Sequence, residues 1–226
     1  MVCAAELRTT PFFSTTPEAA IEALLKQHHL AKMSTGQSLV MESDWGDYVM
    51  VLLDGLAKVR SFNSDGEELV YALLGAGDLL GEVAVLDGDS RSADVISLSP
   101  VRLLKIPGKA FQALMQSSPE ACLALARLEA RRLRDLNARF AMQRSDATSR
   151  VLFTLAYIAS TYDRDKNPLA TIPDLPQSEI AIIAGMARET ASRVMSKLRG
   201  RGDVTEHMGR LSLTSIAPLL KRGIWP

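Results

Sequence analysis

Glycine returns between residues 36 and 88 at a nearly constant interval. Six of the eight glycines there, Gly36, Gly46, Gly55, Gly66, Gly77 and Gly88, are spaced 10, 9, 11, 11 and 11 residues apart. Short β-prone runs fill the gaps: Ser38–Met41, Tyr48–Leu53, Ala57–Phe62 and Leu69–Leu74, then Asp94–Ile96 and Val101–Ile106 further on. Three turns carry explicit chemistry, Asp54-Gly55, Asp65-Gly66 and Asp87-Gly88, where glycine takes a positive φ without steric cost. Short strands with turns this regular predict a small antiparallel sandwich or barrel.

The chain of 226 residues is long enough for two small domains, each with its own core. With 47% apolar and 23% charged residues it has the composition of a soluble globular protein. Cys3 and Cys122 are too few for a disulfide framework, and the expected location is cytoplasmic. His28, His29 and His207 show no metal-ligand spacing with either cysteine, so no metal is expected. No stretch approaches the ~18 apolar residues of a membrane helix, and the N-terminus lacks a signal-peptide pattern. The zero net charge hides an asymmetry. Residues 1–148 carry 15 Lys/Arg against 19 Asp/Glu, a balance of −4, whereas residues 149–226 carry 11 against 7, a balance of +4. A basic back half points to an anionic partner at that end.

Gly77 to Ala93 is denser than a barrel requires. A tight loop opens backbone N–H groups toward a short helical turn, and Arg91 adds a planar fork of donors suited to a phosphate. Glu82, acceptor-only when ionised, suits a donor such as a sugar hydroxyl. Converging on one pocket, the two grip a sugar phosphate at both ends; the alternative is a plain surface ion pair. Gly81-Glu82 and Arg91-Ser92-Ala93 resemble the phosphate-binding cassette of the cyclic-AMP receptor protein (CRP/FNR) family. The resemblance implies ligand contacts by Gly81, Glu82, Val83, Arg91 and Ser92. It implies a cyclic nucleotide as effector, with cyclic AMP as first choice and cyclic di-GMP as second.

Lys109–Gln116 reads as a short helix closing the barrel. Ser118-Pro119 then opens a helix that runs without Gly or Pro to about Gln143. At 100° per residue, Leu125, Leu128, Leu133, Leu136 and Phe140 fall within an arc of roughly 140°. Such a stripe needs a partner, and the family dimerises through this helix. Arg132 lies inside the arc, where a charge is costly unless paired. The resemblance implies that it reaches the pocket phosphate or the cassette glutamate; the other reading is a side chain snorkelling along the helix. The best-studied cyclic-AMP binders of the family carry a Thr-Ser pair here against the adenine. Aligned from Ala130-Arg131-Arg132-Leu133, this chain has Leu136-Asn137 in those places. Aligned backwards from Asp146-Ala147-Thr148, it has Asp135-Leu136. The sugar-phosphate grip is kept and the base grip is altered, with Leu136 and Asn137 as its candidate residues.

After a hinge at Ser145-Asp146-Ala147 comes an apolar helix, Thr148–Ser160, then a polar loop, Asp163–Asn167. The segment Gln177 to Met195 has helix-turn-helix spacing: small Ala181 for close contact, Gly185 at the turn, Ala191 and Val194 facing inward. Val204–His207 and Leu211–Leu213 around Met208-Gly209 form a wing-like hairpin. On the second helix Arg188, Glu189, Ser192 and Arg193 point outward, suited to base edges in a major groove, and Lys197 continues toward the phosphates. Arg188-Glu189-Thr190 with Arg193 resembles the family's recognition helix. Pro176 and Gln177 replace a Thr and Arg that often touch DNA phosphates, and Gln177 and Ser178 remain candidate DNA contacts.

The expected fold class is α+β. Residues 1–118 form a cyclic-nucleotide-binding β-barrel of jelly-roll type, 119–145 a dimerisation helix, and 146–226 a winged helix-turn-helix. The implied partners are double-stranded DNA at a near-palindromic site, a second copy of the chain, and RNA polymerase. An enzyme would need a nucleophile, an acid–base pair or a metal cluster, and the glycine loops match no Walker or Rossmann pattern. Two distant cysteines cannot hold an iron–sulfur cluster. A regulator sensing a non-nucleotide effector, such as haem or 2-oxoglutarate, or none, and a nucleotide-binding module without DNA binding, are the alternatives.

Overall fold

The computed structural model describes residues 2–224. Met1, Trp225 and Pro226, at the outer ends of the first and last expected segments, lie outside the described residues. Two short helices, α1 (Ala4–Arg8) and α2 (Glu18–Leu25), precede six strands: β1 (His29–Met33), β2 (Ser38–Val40), β3 (Tyr48–Asp54), β4 (Ala57–Phe62), β5 (Glu68–Leu74) and β6 (Leu79–Leu80). Then follow α3 (Glu82–Asp87), β7 (Asp94–Ser97), β8 (Val101–Pro107), α4 (Gly108–Ser117) and the long α5 (Pro119–Met142). The remaining chain forms α6 (Ala147–Tyr162), α7 (Gln177–Ile183), α8 (Arg188–Gly200), the hairpin β9 (Val204–His207) and β10 (Arg210–Leu213), and α9 (Ala217–Leu220).

By compactness the chain makes two units. One comprises the residues up to Val59 together with Leu74–Asp135; the other comprises Arg60–Leu73 and the chain from Leu136 onward. The jelly roll consists of two four-stranded sheets with strand orders β1-β8-β3-β6 and β2-β7-β4-β5. From Val49 to Leu53, β3 is buried on both faces, which explains its apolar sequence there. Val49, Val51 and Leu53 join a core with Phe12, Phe13 and Phe111, while Met50 and Leu52 face the barrel interior with Leu39, Val95 and Leu103. Its ladder to β8 pairs Met50 with Lys105 and Leu52 with Leu103, and the register shifts between Leu52 and Asp54 just before the Gly55 turn. Ser118 caps α5 by accepting from the Ala121 amide at 3.2 Å, and Ala121, Ala124, Leu125 and Leu128 of that helix enter the first core.

The apolar stripe expected on α5 therefore has two fates. Leu125 and Leu128 are buried, whereas Leu133 and Phe140 are 59% and 68% exposed. Two strands escaped the sequence reading. β1, with no β-branched residue, is an edge strand paired only with β8, and β6 has two residues.

In the second unit α6 packs against α7, α8, α9 and β10. Val151, Leu152, Leu155 and Ile158 of α6 are buried, as are Ile180 and Ala181 of α7 and Leu211 and Leu213 of β10. The inward face of α8 is Ala191, Met195 and Leu198, at i, i+4 and i+7, rather than Ala191 and Val194; Val194 sits half-buried at the edge of that face. Met208 (φ 49°) and Gly209 (φ 77°) turn the wing, both in the left-handed conformation that a two-residue hairpin loop demands.

Candidate functional site

Gly81 stands at the head of α3 with φ 84°, the left-handed conformation that glycine alone takes freely. A Cβ there would come within 2.9 Å of Arg91 Cζ and 3.1 Å of the Tyr48 carbonyl. The missing side chain thus admits the Arg91 guanidinium, which donates from Nη1 to the Gly81 carbonyl and from Nη2 to the Tyr48 carbonyl at 2.7 Å. The same guanidinium lies 4.9 Å from the Tyr48 ring centroid, and Lys105 Nζ lies 3.3 Å from it. Arg91 is 3% exposed. Its backbone is held as well, the amide donating to Asp44 and the carbonyl accepting from Ser43, both at 2.9 Å.

Glu82, next in the chain, is also 3% exposed. Its Oε1 accepts from Arg132 Nη1 at 2.5 Å, and its buried Oε2 has no hydrogen-bond partner among the described residues. Arg132 donates further to the Leu79 carbonyl and to Glu129 Oε1, the latter at 3.0 Å. The arginine does not snorkel; it reaches the cassette glutamate. Nor do Glu82 and Arg91 form a surface ion pair, since each has its own buried partners. Burial works against the Arg132 charge, but Glu82, Glu129 and Asp78 outweigh it and hold the guanidinium above its ordinary pKa. Partial burial raises the Glu129 carboxyl, the nearby Glu82 charge adds to the rise, and Arg132 offsets part of it. Two carboxylates thus share one guanidinium.

Gly81, Glu82, Arg91 and Arg132 are brought together in this way. Val83 is on the exposed side of α3, and Ser92 is exposed. Leu136 and Asn137 belong to the second unit, where Leu136 lines a cavity of about 290 Å³ with Tyr71, Phe140 and Phe153. Tyr48 and Glu129 were missed from sequence. No motif marks a tyrosine whose carbonyl and ring both face the cassette arginine. Glu129, however, stands three residues before Arg132, a spacing that places it on the same helix face.

In the second unit Arg188, Glu189, Arg193 and Lys197 are exposed along α8, while Thr190 and Ser192 are half-buried. Arg193 Nε donates to the Glu189 carbonyl at 3.3 Å. Gln177 and Ser178 are half-buried in the first turn of α7. Arg199 of α8 and Glu206 of β9 pair at 2.6 Å, tying this helix to the wing. Asp146 caps α6 by accepting from the amides of Thr148 (2.9 Å) and Ser149 (3.1 Å) and from the Ser149 hydroxyl (2.6 Å). The Ser149 hydroxyl above all, with both amides, lowers the Asp146 carboxyl below its ordinary pKa.

A cassette-bearing jelly roll followed by a winged helix-turn-helix defines a class: transcription regulators with an effector-type barrel. Residues 30–118 match the cyclic nucleotide-binding domain, and residues 149–222 match the Crp-like helix-turn-helix domain. The chain belongs to the CRP/FNR family of transcription regulators. It is 28% identical over 192 residues to the CRP-like cAMP-activated global transcriptional regulator of Mycobacterium tuberculosis, covering 84% of this chain and 86% of that protein. It is 26% identical over 214 residues to the cyclic AMP receptor protein of Thermus thermophilus, covering 94% of this chain and 96% of that protein. Its fold resembles the c-di-GMP-responsive global regulator CLP of Xanthomonas campestris, with a TM-score of 0.70 at 23% identity over 88% of this chain and all of that one. No helix among the described residues is long and apolar enough to cross a membrane.

Proposed function

We propose that this chain is a homodimeric, sequence-specific DNA-binding regulator whose DNA affinity is set by a cyclic nucleotide held in the Gly81–Ser92 cassette. The observation that carries the effector half is the pairing of consecutive residues with two arginines. The Gly81 carbonyl seats Arg91, and Glu82 binds Arg132 while its second buried oxygen lacks a partner. A buried carboxylate oxygen without a donor is costly, and a sugar hydroxyl satisfies it. Arg91 receives the cyclic phosphate as a charge-assisted contact. Cyclic AMP is the first choice, supported by the names of two relatives, and cyclic di-GMP the second, supported by the name of one structural neighbour.

The exposed Leu133, Leu136 and Phe140 of α5 suit a second copy of the chain along this helix. Two α8 helices then meet adjacent major-groove faces of a near-palindrome, with half-sites about 34–36 Å apart. Arg188, Glu189 and Arg193 read bases, Thr190 and Ser192 support them, and Gln177, Ser178 and Lys197 meet the backbone. RNA polymerase is the protein partner such a regulator addresses.

The test is selection of binding sites from random duplexes, followed by fluorescence anisotropy on the selected duplex with and without cyclic AMP or cyclic di-GMP. A near-palindromic selected site whose affinity rises at least about tenfold with one nucleotide supports the reading. Retained DNA binding that neither nucleotide alters removes the effector half. Failure to select any sequence removes the DNA half.

A further inference from the structure

Arg150 is the fourth residue of α6, yet its guanidinium is spent on the end of another helix. Nε and Nη2 donate to the Ala184 carbonyl at 3.0 and 2.7 Å, and Nη2 also donates to the Gly185 carbonyl. Ala184 is the C-cap of α7 and Gly185, at φ 63°, begins the turn into α8. Three late carbonyls of α7 are taken by backbone amides: Ile180 by Ala184, Ala181 by Met186 and Ile182 by Gly185. Among the described residues no backbone amide outside a helix or strand ladder donates to Ala184 or Gly185. The side chain of Arg150 fills that role. The fit is close, since a Cβ on Gly185 would stand 3.2 Å from Arg150 Nη2.

We propose that Arg150 is a positioning residue for DNA recognition, fixing the α7–α8 turn and through it the direction in which Arg188 and Arg193 are presented. The inference rests on the DNA-binding reading of α8. A planar guanidinium can hold two successive carbonyls in one orientation, whereas the point charge of a lysine cannot. Only two residues, Met186 and Ala187, separate Gly185 from the first residue of α8, so a rotation of the turn is passed on to Arg188. Base edges tolerate such an error poorly, while phosphate contacts tolerate it well, because they carry no sequence information.

The test uses Arg150→Lys and Arg150→Gln in the full chain. Affinity is measured on the selected duplex and on a random duplex across a salt series, alongside amide hydrogen exchange over residues 184–190. The expected result for Arg150→Gln is a loss of about tenfold on the selected duplex, the scale of one charge-assisted hydrogen bond. Random-duplex affinity and the salt slope stay unchanged, and exchange at the turn is faster while the β9–β10 hairpin keeps its protection. Arg150→Lys shows the same pattern in weaker form. Equal loss on both duplexes with a shallower salt slope assigns Arg150 to a DNA phosphate and overturns the proposal. Wild-type exchange and specificity in Arg150→Lys overturn it too, since charge alone then suffices. If the wild-type chain shows no sequence preference, the DNA-binding reading has failed, and the exchange measurement still decides whether Arg150 holds the turn.

Discussion

Arg132 Nη1 and Glu82 Oε1 stand 2.5 Å apart although fifty positions separate them in the chain, joining α5 to the first residue of α3. The ion pair fixes a carboxylate that is itself only 3% exposed. It leaves the second oxygen of that carboxylate free to accept.

Breaking the pair from one side leaves a buried charge without compensation. Arg132→Leu is expected to cost about 3 kcal/mol of stability, because Glu82 is then stranded in the interior. Adding Glu82→Gln to the same chain recovers a large part of the loss. Urea denaturation of the two single variants and the double variant gives the coupling energy, and additive losses would contradict the assignment.

Glu129 competes for the same guanidinium, and its carboxyl lies above the ordinary value because of burial and the Glu82 charge. A raised folded-state pKa means that its contribution is fully favourable below the unfolded pKa and is lost as pH rises through the raised value. Glu129→Gln therefore raises the melting temperature at pH 7 and leaves it unchanged near pH 4. Melting curves at the two pH values check the sign.

Asp146 shows the opposite linkage. Its carboxyl is lowered by the Ser149 hydroxyl and the two amides it caps, so its stabilisation is present above the unfolded value and lost as pH falls through the depressed one. Asp146→Ala is expected to cost about 1 kcal/mol at neutral pH, the usual worth of an N-cap. The difference from wild type narrows below about pH 4. Denaturant titrations at neutral and acid pH measure both.

Arg193 and Lys197 separate base reading from charge on one helix. Arg193→Ala is expected to cost about 1–3 kcal/mol on the selected duplex and to relax preference at one guanine. Lys197→Ala weakens every duplex alike and flattens the salt dependence. Gel-shift titrations on selected and random duplexes distinguish the two, and equal losses for Arg193→Ala would remove it from base reading.

The sequence was most legible where a backbone constraint and a chemical motif coincide. Gly81 is needed both for its φ and for the approach of Arg91, and Gly185 both for its φ and for the α7–α8 turn, so each left a plain mark. β3 was legible because burial on both faces makes it apolar from Val49 to Leu53, and α5 because no Gly or Pro interrupts it between Pro119 and Met142. β1 was not, because an edge strand reading His-Leu-Ala-Lys-Met carries no β-branched signal. Val194 was placed inward by spacing alone, and the core preferred Met195 and Leu198 one turn apart. Arg150 left no trace, because a side chain that caps another helix follows no local periodicity.

Arg91 is the residue proposed to hold the nucleotide phosphate. Calorimetric titration of cyclic AMP into the wild-type chain and into Arg91→Ala tests this most directly. The predicted result is clear binding to the wild type and a loss of roughly 1.5–3 kcal/mol in the variant, titrated well below its melting temperature, which falls because the Gly81 and Tyr48 carbonyls lose their donor. Equal affinity in the two proteins would contradict the account, because the ligand would then be held somewhere other than the Gly81–Ser92 cassette.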